Sequence, residues 1–308
     1  MGSQTVPAAR AARLTPLIAG LVQSLRPHQW TKNGFIFLAP LFAHQLHRRS
    51  VFAETVVAFV LFCGLSGAVY LINDVVDLPR DAAHPEKRNR PIASGRVPVG
   101  VAIGAAVVLA ACGLAGAFLL AVPFGWAAVG YVVNNLLYSF CLKRVVILDV
   151  MSVAFGFLLR AVAGGLAVGV PISHWLVLCM TLLALFLAFC KRRQELTLLA
   201  GGAADHRASL KDYTPQFLDH MISVVAASTL IAYSLYALSP EVMEKLGTPY
   251  LGLTIPFVVY GLFRYLYLVH MRGEGGNPSR VLLADRPIQI DILLWGITIL
   301  VLIYWRPL

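Results

Sequence analysis

The chain has 308 residues, of which 58% are hydrophobic and only 13% charged, and its formal net charge is +10. A soluble domain carries about 25% charged residues, so a water-soluble globule is excluded. The basic surplus requires no nucleic acid: topology alone gives it to a helical membrane protein, membrane lipids with anionic headgroups are the default partner, and no soluble domain offers a basic stripe to a groove.

Runs of about 18 or more apolar residues recur along the chain, each able to cross a bilayer core as a helix. Alternating ten-residue strands are missing, which argues against a barrel. The fold class is therefore an all-α integral membrane protein with about nine transmembrane helices. In chain order, residues 14–25 are amphipathic, with Arg10, Arg13 and Arg26 nearby. They read as an in-plane interfacial helix rather than a signal peptide. The predicted spans follow at 33–47, 51–73, 98–119, 122–141, 146–168, 172–195, 215–238, 249–270 and 288–305. The first is short and holds His44 and His47. Short connections make 1–308 a single domain, with 1–25 as its interfacial or flexible N-terminal segment. The cysteines (Cys63, Cys112, Cys141, Cys179 and Cys190) sit in or beside apolar spans without metal spacing and read as small hydrophobes.

Most Lys and Arg residues fall in alternate connections. With the N-terminus inside, Arg26 and Lys32, the loop from Arg80 to Arg96, Lys143 and Arg144, the stretch from Lys191 to Lys211, and Arg272, Arg280 and Arg286 all face the cytoplasm. Arg48, Arg49, Lys245 and Arg306 remain outside, and Arg160 and Arg264 lie within spans. The positive-inside rule thus predicts a cytoplasmic N-terminus in a multi-pass plasma or inner membrane protein.

Topology does not explain the acids. The second span ends in Asn73, Asp74, Asp77 and Asp81, which fall within an arc of about 100° if the helix persists. Pro79 is placed to kink it. Such acids repel one another unless a cation sits among them, and hard oxygen ligands favour Mg²⁺. The alternative is that they merely cap a span at the interface. Next comes a dense basic loop with Lys87, Arg88, Arg90 and Arg96. Beside an acidic helix end, it suits a metal-bound polyphosphate. Two further cytoplasmic helix ends carry similar chemistry: Asn134, Asn135, Tyr138, Ser139, Lys143 and Arg144 on one, Lys191, Arg192 and Glu195 on the other. Lys191 and Glu195 share a face at i, i+4, where a weak salt bridge is the plain alternative. Asp149 and Arg160, three turns apart in one span, fit an internal network as well as a ligand contact.

These residues resemble the UbiA superfamily of intramembrane transferases from about Arg26 to the last span. Asn73-x-x-x-Asp77-x-x-x-Asp81 with Arg90-Pro91-Ile92 and Gly95 is similar to that family's first acidic motif. The resemblance implies nine helices around a central cavity that opens to lipid, with a diphosphate bound through Mg²⁺ near the cytoplasmic face. Within the superfamily the sequence looks closest to the decaprenyl-phosphate phosphoribosyltransferases, on Arg26-Pro27-His28-Gln29-Trp30-Thr31-Lys32-Asn33, His84-Pro85-x-Lys87, Leu158-Leu159-Arg160-Ala161-x-Ala163-Gly164-Gly165 and Lys191-Arg192-x-x-Glu195-Leu196. Aromatic prenyltransferases carry a second D-x-x-x-D motif where this chain has Lys191-x-x-x-Glu195. A base in that place favours a donor with an extra phosphate, as phosphoribosyl pyrophosphate has.

The expectation is transfer of 5-phosphoribose from phosphoribosyl pyrophosphate to a polyprenyl phosphate. Asp77 and Asp81 are the expected metal ligands, with Asn73 and Asp74 supplementing them. Lys87, Arg88 and Arg90 would bind pyrophosphate; Tyr138, Lys143, Lys191, Arg192 and Glu195 would hold the phosphoribose; Lys32 and Arg26 would meet the acceptor phosphate. An acceptor already carrying about −1.5 to −2 charge needs no strong base, and no Ser/His/Asp or Cys/His constellation is seen. Aromatic prenyl transfer and non-enzymatic lipid carriage share parts of these signals. A homo-oligomer is compatible with the sequence.

Overall fold

The computed structural model describes residues 16–84, 87–198, 210, 212–274 and 278–304, and every regular element among them is helical. Arg10, Arg13, Arg207, Lys211 and Arg306 lie outside the described residues. The main helices are α1 (Arg49–Val76), α2 (Leu78–Ala83), α3 (Val99–Leu120), α4 (Val122–Phe140), α5 (Leu148–Ala167), α6 (His174–Leu198), α7 (Pro215–Leu238), α8 (Ile255–Met271) and α9 (Arg286–Tyr304). Sequence neighbours pack in succession from α3 to α9, and α1 lies along α3. The short helix Pro278–Ala284 before α9 touches the 3-10 segment Pro27–Phe37, which brings the two ends of the described chain together.

Seven segments are long and apolar enough to cross a membrane: α1, α3, α5, α6, α7, Leu251–Met271 and α9. The protein is thus polytopic. Its lipid-facing surface is apolar, with Val107, Val108, Leu119 and Leu293 exposed, because hydrocarbon imposes no cost on such side chains. The predicted span 122–141 is the 19-residue helix α4, whose apolar character Asn134 and Asn135 dilute. The predicted span 33–47 differs. It is the end of the 3-10 segment followed by the five-residue helix Leu38–Phe42 and turns. Pro40 has no N–H to return to residue 36, so a regular α-helix cannot run through it.

That irregular segment is wedged between α1 and α5. Ile36 is fully buried there, and a Cβ on Gly164 of α5 would lie 1.8 Å from the Ile36 carbonyl oxygen. Only glycine permits so close an approach. The helix over 16–24 does not float free in the interface. Leu17, Leu21 and Leu25 pack against Ala68, Leu71 and Val97, while Ile18 and Val22 face outward.

Candidate active site

The chain turns at its acidic cluster. α1 stops at Val76, Asp77 takes φ −88° and ψ 3°, and Pro79 opens α2. The expected kink is present. Asp74 and Asp81 are buried while Asp77 stays one-third open, and each carboxylate meets a cation. Asp74 accepts from Arg26 and, at 3.2 Å, from Arg90. Asp81 accepts from the same Arg90 at 2.6 Å, and Asp77 from Lys143 at 2.8 Å. Asn73 Oδ1 accepts from Ser139 on α4. Arg26 reaches Asp74 from a left-handed turn, φ 54°, with its guanidinium 4.9 Å from the Tyr70 ring centroid.

Each acid expected at the metal is thus paired with one of the chain's own cations. Among the described residues, no group of three or more His, Cys, Asp or Glu side chains is arranged to hold a metal. Arg90 bridges Asp74 and Asp81, and Lys143 holds Asp77, so the chain's own cations balance its acids. The donor chemistry still suits Mg²⁺. Every donor is an oxygen, and Mg²⁺ needs only one or two carboxylates, taking the rest of its shell from water and phosphate.

A second group has the opposite balance. The Lys32 side chain, one turn before Phe35, makes no hydrogen bond or ion pair among the described residues. Burial, then Lys191, Arg160 and Arg26, pull its ammonium down to about 7. Lys191 has only Glu195, at 3.7 Å. Residues three apart eclipse in a 3-10 helix, so Lys32 and Phe35 share a side. Phe35 then lines, with Leu38, Phe42, Trp175, Phe186 and Trp295, a cavity of about 380 Å³ whose walls are almost wholly apolar. A charged head and an apolar tail would both find a partner along this one segment.

The third group is a network around a buried arginine. Arg192 is 1% exposed and donates to Asp149 at 2.7 Å, to Tyr138 at 3.1 Å and to Glu195. Asp149 also accepts from Tyr213 at 2.8 Å, and the Tyr213 hydroxyl accepts from the N–H of Ile147, a residue held at φ 69°. Asp149 and Arg160 therefore do not pair with each other. Arg192, expected on the substrate, is instead committed to its protein partners. Lys87 and Arg88 are exposed, and their side chains make no hydrogen bond or ion pair among the described residues. Ser139, named from sequence only among the residues of its helix end, reaches the acidic end, and Asn33, quoted only within the motif from Arg26, joins α1 to Arg160 through Ser66. Neither had a specific role from sequence, because the bonds that define them span 66 and 127 residues.

Residues 34–284 match the model of the UbiA prenyltransferase family. The chain belongs to that family. Its relatives include a decaprenyl-phosphate phosphoribosyltransferase of Corynebacterium glutamicum, 35% identical, covering 95% of this chain and 89% of that protein. Another decaprenyl-phosphate phosphoribosyltransferase, of Mycolicibacterium smegmatis, is 37% identical and covers 94% of both chains. A UbiA homolog from Archaeoglobus fulgidus, solved with DMAPP and Mg²⁺ bound, superimposes with a TM-score of 0.70 at 18% identity, covering 93% of this chain and 99% of that one. At that identity the likeness establishes the UbiA fold. It agrees with the expected helical bundle, and the relatives agree with the expected subfamily.

Proposed function

We propose that this UbiA-family chain transfers 5-phosphoribose from phosphoribosyl pyrophosphate to a polyprenyl phosphate such as decaprenyl phosphate, releasing pyrophosphate. The observation that carries the reading is 35–37% identity, over 94–95% of the chain, to proteins named decaprenyl-phosphate phosphoribosyltransferase. The charge pattern supports it. Where an aromatic prenyltransferase would place an acid, Lys191 adds to an unbalanced cation group suited to a phosphate beyond the leaving diphosphate.

Roles follow from the pairing. Asp77 and Asp81, with Asn73 and Asp74 beside them, would hold Mg²⁺, which would stabilise charge on the departing pyrophosphate as a Lewis acid. Arg90 and Lys143 lie on those same carboxylates and can shift to the pyrophosphate as its charge develops, with Lys87 and Arg88 at the exposed margin. Glu195 and Tyr138 hold the ribose portion, Lys191 adds positive charge, and Arg192 positions the first two rather than binding substrate. Lys32 and Arg26 receive the acceptor phosphate, whose chain follows Phe35 and Leu38 into the apolar cavity. Breaking the anomeric bond builds oxocarbenium character. The acceptor dianion attacks opposite the leaving group, with inversion and without a general base.

The site faces the cytoplasm of the plasma or inner membrane, with 33–47 and 122–141 completing nine crossings. The charged donor cannot cross a bilayer, and the basic connections lie on that side. The test gives purified protein phosphoribosyl pyrophosphate or a prenyl diphosphate, each with polyprenyl phosphate or an aromatic acceptor, with and without Mg²⁺. Mass analysis should find only phosphoribosylated polyprenyl phosphate, and only with Mg²⁺. Prenylated aromatic product would replace this reading by the other, and no product with any pair would leave a carrier. Sidedness is tested by single cysteines in a cysteine-free background. Arg88→Cys should resist an impermeant maleimide in intact cells and Arg48→Cys should react; the reverse pattern overturns the topology.

A further inference from the structure

Among the described residues two arginines are buried, and they differ in one respect. Arg192 has two carboxylates. Arg160, at 6% exposure, has none among the described residues. Its Nε donates to Asn33 Oδ1, its Nη1 to the Gly156 carbonyl and its Nη2 to the Tyr131 hydroxyl, each at 2.8 Å. All three acceptors are neutral. A guanidinium has five N–H donors, so these bonds leave two for another partner. The side chain lies 4.6 Å from the Tyr131 ring centroid and 5.5 Å from that of Phe157, which eases its desolvation without neutralising it.

The position is costly to leave unbalanced. Arg160 sits about 18 Å along α5 from its first residue, at ~1.5 Å per residue. An intramembrane cation there ordinarily pairs or serves a ligand. Its bond to the Gly156 carbonyl shows the side chain running back one turn, toward the end of α5 where Lys143 and Arg144 precede it. That direction brings it within electrostatic reach of Lys32, on which Lys191 also bears. The Arg160–Asn33 bond also sets Arg160 beside the residue that follows Lys32, so two cations from two elements lie close together, with no acid paired to either among the described residues.

We infer that Arg160, through the N–H groups its protein partners leave open, forms with Lys32 a subsite for a phosphate monoester. The inference rests on the phosphoribosyl-transfer reading only for which molecule brings that phosphate: the acceptor lipid or carbon 5 of the donor sugar. The chemistry is the same in both. A planar fork of N–H groups binds two phosphate oxygens while the Lys32 ammonium balances the remaining charge. Asn33 and Tyr131 fix the plane of the fork, so they act as positioning residues.

The experiment uses the full chain in detergent and two probes, ribose 5-phosphate and a short-chain polyprenyl phosphate, titrated by calorimetry. Arg160→Gln and Lys32→Gln should each weaken the same probe by about tenfold or more, the range for losing a charge-assisted hydrogen bond. Arg160→Lys should recover part of the loss, and the KM of the matching substrate alone should rise. Whichever probe is lost identifies the source of the phosphate. Arg160→Gln that binds both probes like wild type overturns the inference and leaves Arg160 as a cross-link between helices. If Arg160→Gln does not fold, Lys32→Gln decides, because it removes no hydrogen bond from the fold; wild-type binding of both probes by it overturns the subsite. A wild-type protein that binds the probes yet transfers no phosphoribose would sink the transfer reading and leave the subsite standing.

Discussion

The acidic end of α1 and the cation group around Lys32 are both charged regions of one bundle, and they are balanced differently. Asp74, Asp77 and Asp81 each have a basic partner within the chain. Lys32 and Arg160 have no acidic one among the described residues. The acids are thus held ready at little cost, while the cations carry a debt that only an anion can settle. On the proposed reading the two regions would have separate tasks: the first would exchange partners when pyrophosphate and metal arrive, and the second would receive phosphate outright.

The largest effect is expected where charge is both buried and balanced, because breaking a balanced pair strands its partner. Asp149→Asn removes the fully buried one of Arg192's two counter-ions, and we predict a loss of about 3–5 kcal/mol of stability, read from unfolding in mixed micelles. A loss under 1 kcal/mol would mean that the network does not need its balance. Next, Asp77→Asn and Asp81→Asn should each lower turnover by about 100-fold or more while the protein stays folded. Wild-type turnover at limiting Mg²⁺ in either variant would remove the acids from the metal site.

In the cation group the effects are smaller and fall on binding. Lys191→Asp restores the acidic pattern of the aromatic relatives, and should raise the KM for phosphoribosyl pyrophosphate by about 10–100-fold without creating prenyl transfer. An unchanged KM would separate Lys191 from the donor. Smaller still is a pH effect. Burial is the main cause that holds Lys32 near 7, and the charged neighbours that add to it are all cations: Lys191 on α6, Arg160 on α5 and Arg26. The protonated amine is the form that binds an anion, and a phosphate monoester has completed its second ionisation, near pH 6, by then. Affinity for polyprenyl phosphate should therefore fall as pH rises through about 7, by up to about tenfold per pH unit, with proton uptake on binding. Lys32→Met should flatten that dependence, and an equally steep profile in it would assign the titration elsewhere.

Much of the fold was legible in the sequence because apolar length is a local signal. Seven spans came through as continuous apolar helices. The segment 33–47 did not, because Pro40 and the close packing of Ile36 on Gly164 make an irregular backbone that hydropathy cannot register. At the site, the kink at Asp77 was readable from Pro79. The partners were not: Arg26 and Asp74 are 48 residues apart, and Lys143 and Asp77 are 66 apart. No periodicity couples positions so distant. Arg192 looked like a substrate ligand from its neighbours in sequence; only burial against Asp149 shows it is committed.

The contrast between the two regions is tested most directly by Mn²⁺ binding, followed by electron paramagnetic resonance, with Mn²⁺ standing in for Mg²⁺. Because each carboxylate already has a basic partner, Mn²⁺ alone must displace one. Phosphoribosyl pyrophosphate offers Arg90 and Lys143 a new partner and supplies further oxygens to the ion. Mn²⁺ should therefore bind about 5–150-fold more tightly with the donor present than without it, and Asp77→Asn should abolish the enhancement. Equally tight Mn²⁺ binding with and without donor, or an enhancement that survives Asp77→Asn, would contradict the partner exchange at the acidic end.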